Sequence, residues 1–146
     1  MRILMLCLGN ICRSPTAEAV MRAKAAELGL AVEVDSAGTG GWHVGEPPDR
    51  RAQAAARSRG LDISGLRARQ LSRADFRSFD LILAMDGTNL SDAARLAPHD
   101  GRARLTTFLD EAGLGGDVPD PYYTGQFDAV LDLIEDASIR ILDRMA

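Results

Sequence analysis

The stretch from Ile3 to Leu28 constrains this chain more than any other. Ile3 to Leu6 is a continuous apolar run, the kind buried on both faces of a parallel sheet. It runs into Cys7-Leu8-Gly9-Asn10-Ile11-Cys12-Arg13-Ser14-Pro15, and a helix is predicted from about Pro15 to Leu28. Proline suits a first helical turn, where its missing N–H has no partner to lose. Ala17, Val20, Met21, Ala25 and Leu28 recur at helical spacing, and Gly29 stops the helix. A strand, a glycine-bearing loop and a helix in that order form the first unit of an α/β sheet. Its loop lies at the carboxyl end of the strand, where open α/β sheets bind their ligands.

The pattern continues along the chain. Val32 to Ser36 reads as a second strand, Thr39 to Pro48 as a loop, and Asp49 to Arg59 as a helix ended by Gly60. Phe79 to Met85 is a third strand, Asn89 to Leu96 a helix, and Arg104 to Phe108 a short fourth strand. In the last segment Phe127, Val130, Leu131, Ile134, Ile141, Leu142 and Met145 make one apolar stripe, with acids on most other positions. No repeat, linker or low-complexity tract interrupts the 146 residues. The expectation is one α/β domain over residues 1–146, with a four-stranded, twisted parallel sheet, helices on both faces and a phosphate-binding loop after strand 1. A chain of this size buries roughly two thirds of its unfolded surface, enough for one core.

The net charge of −4 hides a division. Residues 1–106 hold 15 basic and 12 acidic residues, a balance of +3; residues 107–146 hold two and nine, a balance of −7. The second figure is largely the wet face of the last helix. Eight arginines stand against Asp62 and Asp75 between Arg50 and Arg77, either as a solvated helix face or as a positive field for an anion. An acidic domain fits nucleic acid poorly. There is no apolar run near the roughly 20 residues of a membrane helix, so no membrane contact is expected. No signal-peptide pattern is visible, and two cysteines cannot make a disulfide framework, so a reduced cytoplasmic setting is expected. Two histidines, His43 and His99, and two cysteines so arranged build no metal site, and no cofactor is expected.

The loop after the first strand carries the chemistry. Gly9 and Asn10 tolerate left-handed backbone, which lets successive N–H groups converge on an anion beside a helix N-terminus. The nucleotide pattern G-x-x-x-x-G-K-[ST] and the dinucleotide pattern G-x-G-x-x-G are both absent from the loop. It has a thiol at its start and a guanidinium six residues on. Backbone N–H groups, a helix N-terminus and an arginine favour a thiolate, which is a nucleophile. Arg13 can meet two phosphate oxygens in a fork, and the Ser14 hydroxyl can donate to the sulfur. Sulfur attack on a phosphoryl group follows, with charge on the equatorial oxygens held by N–H groups and Arg13. The plainer reading of Cys7 is a small buried strand-end residue.

The nine residues Cys7 to Pro15 resemble the signature of the low-molecular-weight protein tyrosine phosphatases. Four more segments fit in order: Ser36-Ala37-Gly38-Thr39, Trp42-His43-Val44-Gly45, Ala84-Met85-Asp86 with Asn89, and Asp120-Pro121-Tyr122-Tyr123. The resemblance implies Cys7 as nucleophile, Arg13 as the binder of phosphate and transition state, and Ser14 as the stabiliser of the thiolate. Leu8, Gly9, Asn10, Ile11 and Cys12 complete the phosphate loop, shaped by Asn10 and supported by Ser36. Asp120 becomes the acid that protonates the leaving phenolate and later activates water. Trp42, Tyr122 and Tyr123, three of the seven aromatics and all expected in loops, would wall the entrance and favour an aryl phosphate.

Cys12 could close a reversible disulfide with Cys7 under peroxide; its plainer reading is a passive loop thiol. Asp117, also beside a proline, reads as a turn residue. One position departs from the family. Gly65-Leu66-Arg67-Ala68-Arg69-Gln70 places Leu66 where the family often has a histidine that supports the loop. Ser36 or Asn10 should then find water or another partner, with a somewhat softer loop. His43 and His99 are read as surface residues.

Two other functions share parts of the pattern. A thiol-dependent arsenate reductase on the same fold relays oxidation through later cysteines, and none follows Cys12. A phosphocarrier subunit of sugar transport also phosphorylates a cysteine after its first strand, but needs neither Arg13 nor Asp120. The expected partners are phosphotyrosine proteins, including a cognate tyrosine kinase, and the chain is expected to be a monomer.

Overall fold

A computed structural model describes all 146 residues. The elements in order are β1 (Arg2–Cys7), α1 (Arg13–Glu27), β2 (Glu33–Gly38), α2 (Arg50–Arg57), α3 (Asp75–Ser78), β3 (Leu81–Ala84), α4 (Gly87–Leu96), β4 (Arg104–Thr107), α5 (Phe108–Glu111), α6 (Pro121–Thr124) and α7 (Phe127–Met145). The sheet has four strands in the order β2-β1-β3-β4, and every pairing is parallel. This is the expected architecture. β1 is central, with Leu4 facing Asp35 on one side and Ile82 on the other.

Because side chains alternate along a strand, β1 serves two cores. Ile3, Met5 and Cys7 join Leu81 and Leu83 in a cluster closed by Val20 and Met21 of α1 and Leu131 and Ile134 of α7. Leu4 and Leu6 join Ile82 and Ala84 under Phe76 of α3 and Ala93 of α4. Burial on both faces explains why β1 and β3 read as continuous apolar runs. The last helix buries its predicted stripe at Val130, Leu131, Ile134, Ile141 and Leu142. No helix is long and apolar enough to cross a membrane.

Several boundaries differ from expectation, each for a local reason. Helix α1 begins at Arg13, so the phosphate loop closes two residues earlier than Pro15 suggests. β2 begins at Glu33 and extends past Ser36 to Gly38, because Cys7 pairs there with Gly38. α2 is shorter than predicted, and Asp49 is its cap, accepting from the Arg51 N–H. Phe79 lies outside β3; its N–H still bonds back to Asp75 in α3. α4 starts at Gly87, capped by Asp86. Thr107 ends β4 and caps α5 with its hydroxyl, taking Phe108 out of the strand. Tyr122 and Tyr123 lie on the single turn α6, not in loop. The one-turn elements α3, α5 and α6 carry no periodic signal in so few residues.

Half of the eight arginines between Arg50 and Arg77 are ion-paired, Arg51 with Asp49 among them. Arg59 reaches Asp132 and Glu135 on the acidic face of α7 at 2.6 and 3.3 Å. Arg69 binds Asp35 and Asp75, and Arg77 binds Asp100. None of these eight arginines lines the cleft described below, so the solvated, ion-paired reading holds.

Candidate active site

Residues 8–12 bridge the carboxyl end of β1 and the start of α1. Neighbouring backbone pins the loop: Thr39 N–H donates to the Cys7 carbonyl and Gly40 N–H to that of Leu8, both at 2.9 Å, and Asp49 N–H to that of Ile11 at 2.8 Å. The approach at Gly38 admits no side chain, since a Cβ there would lie 2.8 Å from the Leu8 carbonyl oxygen.

Asn10 is the only non-glycine residue with positive φ, 58°. Such backbone persists where the surroundings over-determine it. The Arg69 N–H donates to Asn10 Oδ1 at 3.0 Å, and a backbone N–H can only donate, which fixes the amide orientation. Asn10 Nδ2 then donates to Ser14 Oγ at 2.8 Å and to Ser36 Oγ at 3.0 Å. With an acceptor lone pair so used, Ser14 has its hydrogen free for the Cys7 sulfur at 3.0 Å, closer than the Ala37 carbonyl at 3.4 Å. The Asn10 N–H adds a second contact to that sulfur at 3.2 Å. Two donors thus converge on one sulfur.

Ser36 in turn donates to Glu18 Oε1 at 2.7 Å, and Arg22 donates to Glu18 Oε2 at 2.8 Å. Glu18 is buried, and burial raises its carboxyl above the ordinary glutamate range, against the Ser36 hydrogen bond and the Arg22 charge. Here is the partner that the missing histidine left open. Leu66 turns away and packs beside Ala52, Ala56 and Ile63. Glu18 gives no distinctive sequence signal; only its position one turn after Ser14 on α1 could have drawn attention.

Arg13 is 3% exposed. Its Nη1 donates to Asp86 Oδ2 at 2.7 Å and to the Val118 carbonyl at 3.0 Å, and its Nη2 lies 3.5 Å from Asp120 Oδ2. Burial alone would lower its pKa, but Cys7, Asp86 and Asp120 more than offset this and raise it. Asp86, at the end of β3, also caps α4 through its Oδ1 on the Asn89 N–H. In the sequence Asp86 stood only within a matching segment; that it orients Arg13 becomes visible once β3 lies beside β1. Asp120 caps α6 through the Tyr122 N–H at 3.0 Å, while Asp117 accepts from the Gly87 N–H at 3.0 Å, a long-range tie to the start of α4 and not the local turn expected of it.

A cleft of about 260 Å³ joins these groups. Cys7, Leu8, Gly9, Ile11, Cys12 and Arg13 form its floor, and Trp42, Tyr122, Tyr123 and Asp120 its wall. Trp42 and Tyr123 are 73% and 76% exposed, and the two tyrosine rings meet edge to face at 5.1 Å. His43 also lines the cleft, against Gly9, and pairs with Glu46 at 2.5 Å; it is more than the surface residue expected. His99 is exposed and does not line the cleft. Cys7 and Cys12 are both free thiols and both buried. Burial first, then Asp49, Cys7 and Asp120, push the Cys12 thiol well above its ordinary range. No group of three metal-ligating side chains occurs.

An anion cradle at the carboxyl end of a parallel sheet, with a thiol at its floor and a buried guanidinium beside it, is the equipment of a cysteine-dependent phosphatase. The chain belongs to the low molecular weight phosphotyrosine protein phosphatase family, whose sequence profile matches residues 2–146. It is similar to the low molecular weight protein-tyrosine-phosphatase YfkJ of Bacillus subtilis, 43% identical over 145 residues, covering 96% of this chain and 92% of that protein. The low molecular weight protein-tyrosine-phosphatase of Streptomyces coelicolor is 45% identical over 150 residues, covering 97% and 91%. The crystal structure of YfkJ superposes with a TM-score of 0.93 at 42% identity, covering 99% of this chain and 94% of that one.

Proposed function

We propose that the chain hydrolyses phosphotyrosine in proteins, and small aryl phosphates, through a cysteinyl-phosphate intermediate. The Cys7 sulfur attacks phosphorus while the bond to the aryl oxygen breaks. Asp120 gives its proton to that oxygen as it leaves. Water, deprotonated by Asp120, then attacks phosphorus and releases Cys7. Backbone N–H groups of residues 8–12 and the Arg13 guanidinium hold the charge on the equatorial oxygens. One observation supports this reading above the rest: the Ser14 hydroxyl and the Asn10 N–H both point at the Cys7 sulfur, beside a buried Arg13. The aromatic wall suits an aryl group, and the depth of the thiol disfavours shorter phosphoserine. Single-turnover assay with a phosphotyrosine peptide tests it. The wild type should form an acid-stable phosphoenzyme and work in the presence of chelator. Cys7→Ser should bind phosphate without turnover. Full activity in Cys7→Ser, or loss of activity with chelator, overturns it.

The protein is further proposed to act as a monomer in the cytoplasm on phosphotyrosine proteins, among them an autophosphorylating tyrosine kinase. Cys12 is proposed as a redox partner. Peroxide oxidises the Cys7 thiolate to a sulfenic acid, and the Cys12 thiol displaces its hydroxyl, forming the disulfide and water. Thiol should restore the peroxide-treated wild type, and Cys12→Ser should lose that reversibility.

A further inference from the structure

The geometry points to Arg51, clamped by Asp49, as a positioning residue that keeps the segment bearing Asp120 in register with the phosphate loop. This rests on the proposed role of Asp120 as general acid.

Residues 119–126 carry Asp120, both tyrosines and the one-turn helix α6, and they are largely exposed. Their internal hydrogen bonds run from Tyr123, Thr124 and Gly125 back to Asp120 and Pro121, which shapes the segment without anchoring it. Only two side chains from elsewhere hydrogen-bond to it. One is Arg13, through Asp120 at 3.5 Å. A phosphoryl group seated in the cradle competes for that same Arg13 nitrogen, so the tie weakens when the acid is needed. The other is Arg51, whose Nη2 donates to the Tyr122 carbonyl at 3.4 Å.

Arg51 does more than make that bond. Its guanidinium lies over the Tyr122 ring, 5.4 Å from the centroid, and over the Phe127 ring at 4.8 Å. It therefore touches both ends of the turn that follows Asp120. Its own position is set by Asp49, which accepts from the Arg51 N–H at 2.8 Å, from Nε at 3.2 Å and from Nη2 at 3.2 Å. Asp49 is fixed in turn by its N–H on the Ile11 carbonyl. A short path results: phosphate loop, Asp49, Arg51, Tyr122, Asp120. Arg51 does not line the cleft and touches no reacting atom. Its effect should be confined to what Asp120 contributes, and misplacement of a catalytic group by an ångström is costly.

The test compares kcat/KM for 4-nitrophenyl phosphate, whose phenolate leaves readily, with that for phenyl phosphate, whose phenolate needs the proton. In Arg51→Ala the phenyl phosphate value should fall about 10-fold or more, and the 4-nitrophenyl value less than about 3-fold, since general acid catalysis supplies 10²–10⁴ for a poor leaving group. Arg51→Lys should show the same selectivity with a smaller loss. Competitive inhibition by inorganic phosphate should not change, because the cradle is intact. In an Asp120→Ala background, Arg51→Ala should cost nothing further. Equal losses on both substrates, weakened phosphate inhibition, or additivity with Asp120→Ala would each overturn the brace. If Asp120→Ala slows phenyl phosphate but Arg51→Ala does not, the brace alone falls. If Asp120→Ala changes neither substrate, the acid assignment falls and the brace with it.

Discussion

In and behind the floor of the cleft, Asn10 makes three side-chain hydrogen bonds, and Arg13, Ser14 and Glu18 are all buried. At its rim, Trp42 and Tyr123 have lost little of their surface to the protein, and Asp120 sits on a one-turn helix. The difference follows the two halves of a phosphate ester. The phosphoryl group is the same in every substrate, and its stabilisation needs donors that do not reorganise during reaction. The leaving group varies, so its wall can be open and lightly held. Changes to the floor should therefore strike kcat, and changes to the rim should strike KM or the dependence on leaving group.

The largest effect should come from Arg13→Lys. An ammonium cannot keep the bonds to Asp86 and Val118 while presenting a fork to two phosphate oxygens. Loss of one such group costs about 10²–10³-fold in kcat, so steady-state kinetics should show at least that, with weaker inhibition by phosphate. A loss confined to KM would place Arg13 with the rim and break the comparison. Next comes Asn10. Asn10→Gly keeps the left-handed backbone and loses the hydrogen bonds, whereas Asn10→Ala loses both. Urea denaturation should rank wild type above Asn10→Gly and Asn10→Gly above Asn10→Ala, with about 1 kcal/mol between the two variants. If both lose equal stability, the side-chain network alone holds the loop.

The same division explains what was legible in the sequence. β1, the phosphate loop and α1 are contiguous, so Cys7, Arg13 and Ser14 could be grouped by spacing alone. Asp120 stands 113 residues from Cys7 and needed the resemblance to single it out. Asp86, Glu18 and Arg51 act through other side chains, and each has an ordinary local role: a helix cap, a helix-face acid and an ion pair. The strand order β2-β1-β3, which brings Ser36 and Asp86 to either side of the loop, gives Asp86 and Glu18 a second one. Leu66 cannot replace a histidine, and the residue that serves Ser36 instead, Glu18, lies on α1, out of reach of any local pattern. His43 reads as a surface residue in the sequence because a lone histidine carries no direction until the loop of residues 39–48 folds over Gly9.

Glu18 sharpens the comparison through pH. Burial raises its folded-state carboxyl, against the Ser36 hydrogen bond and the Arg22 charge. A raised acid binds its proton more tightly when folded. Its contribution to stability is therefore fully present below the unfolded glutamate range and is lost as pH rises through the folded value. Glu18→Gln has no such titration. Urea denaturation from pH 4 to pH 8 should show wild type gaining stability relative to Glu18→Gln as pH falls through the raised range. Parallel curves would remove Glu18 as a buried titrating anchor of the floor. At neutral pH Glu18→Gln should lower kcat by only about 3–10-fold, since Gln Oε1 still accepts from Ser36 and only the bond from Arg22, about 1 kcal/mol, is lost on the far side of the network from the sulfur.

Trp42→Ala should have the smallest effect on kcat, acting on KM alone. The indole is 73% exposed and packs closely over Gly40, where even a Cβ would clash with the ring, so removing it opens no core cavity. What it offers is a face for an aryl group, and stacked aromatic pairs are worth about 0.5–1.5 kcal/mol beyond area burial. That corresponds to a rise in KM of about 2–13-fold for a phosphotyrosine peptide at RT of 0.59 kcal/mol. Inorganic phosphate, which has no ring, should inhibit the variant and the wild type equally. The phosphoenzyme formed from either substrate is the same, so its hydrolysis should proceed at the wild-type rate. A fall in that hydrolysis rate would mean that Trp42 reaches the cradle itself, through the Gly40 N–H on the Leu8 carbonyl, and that floor and rim are one mechanical unit.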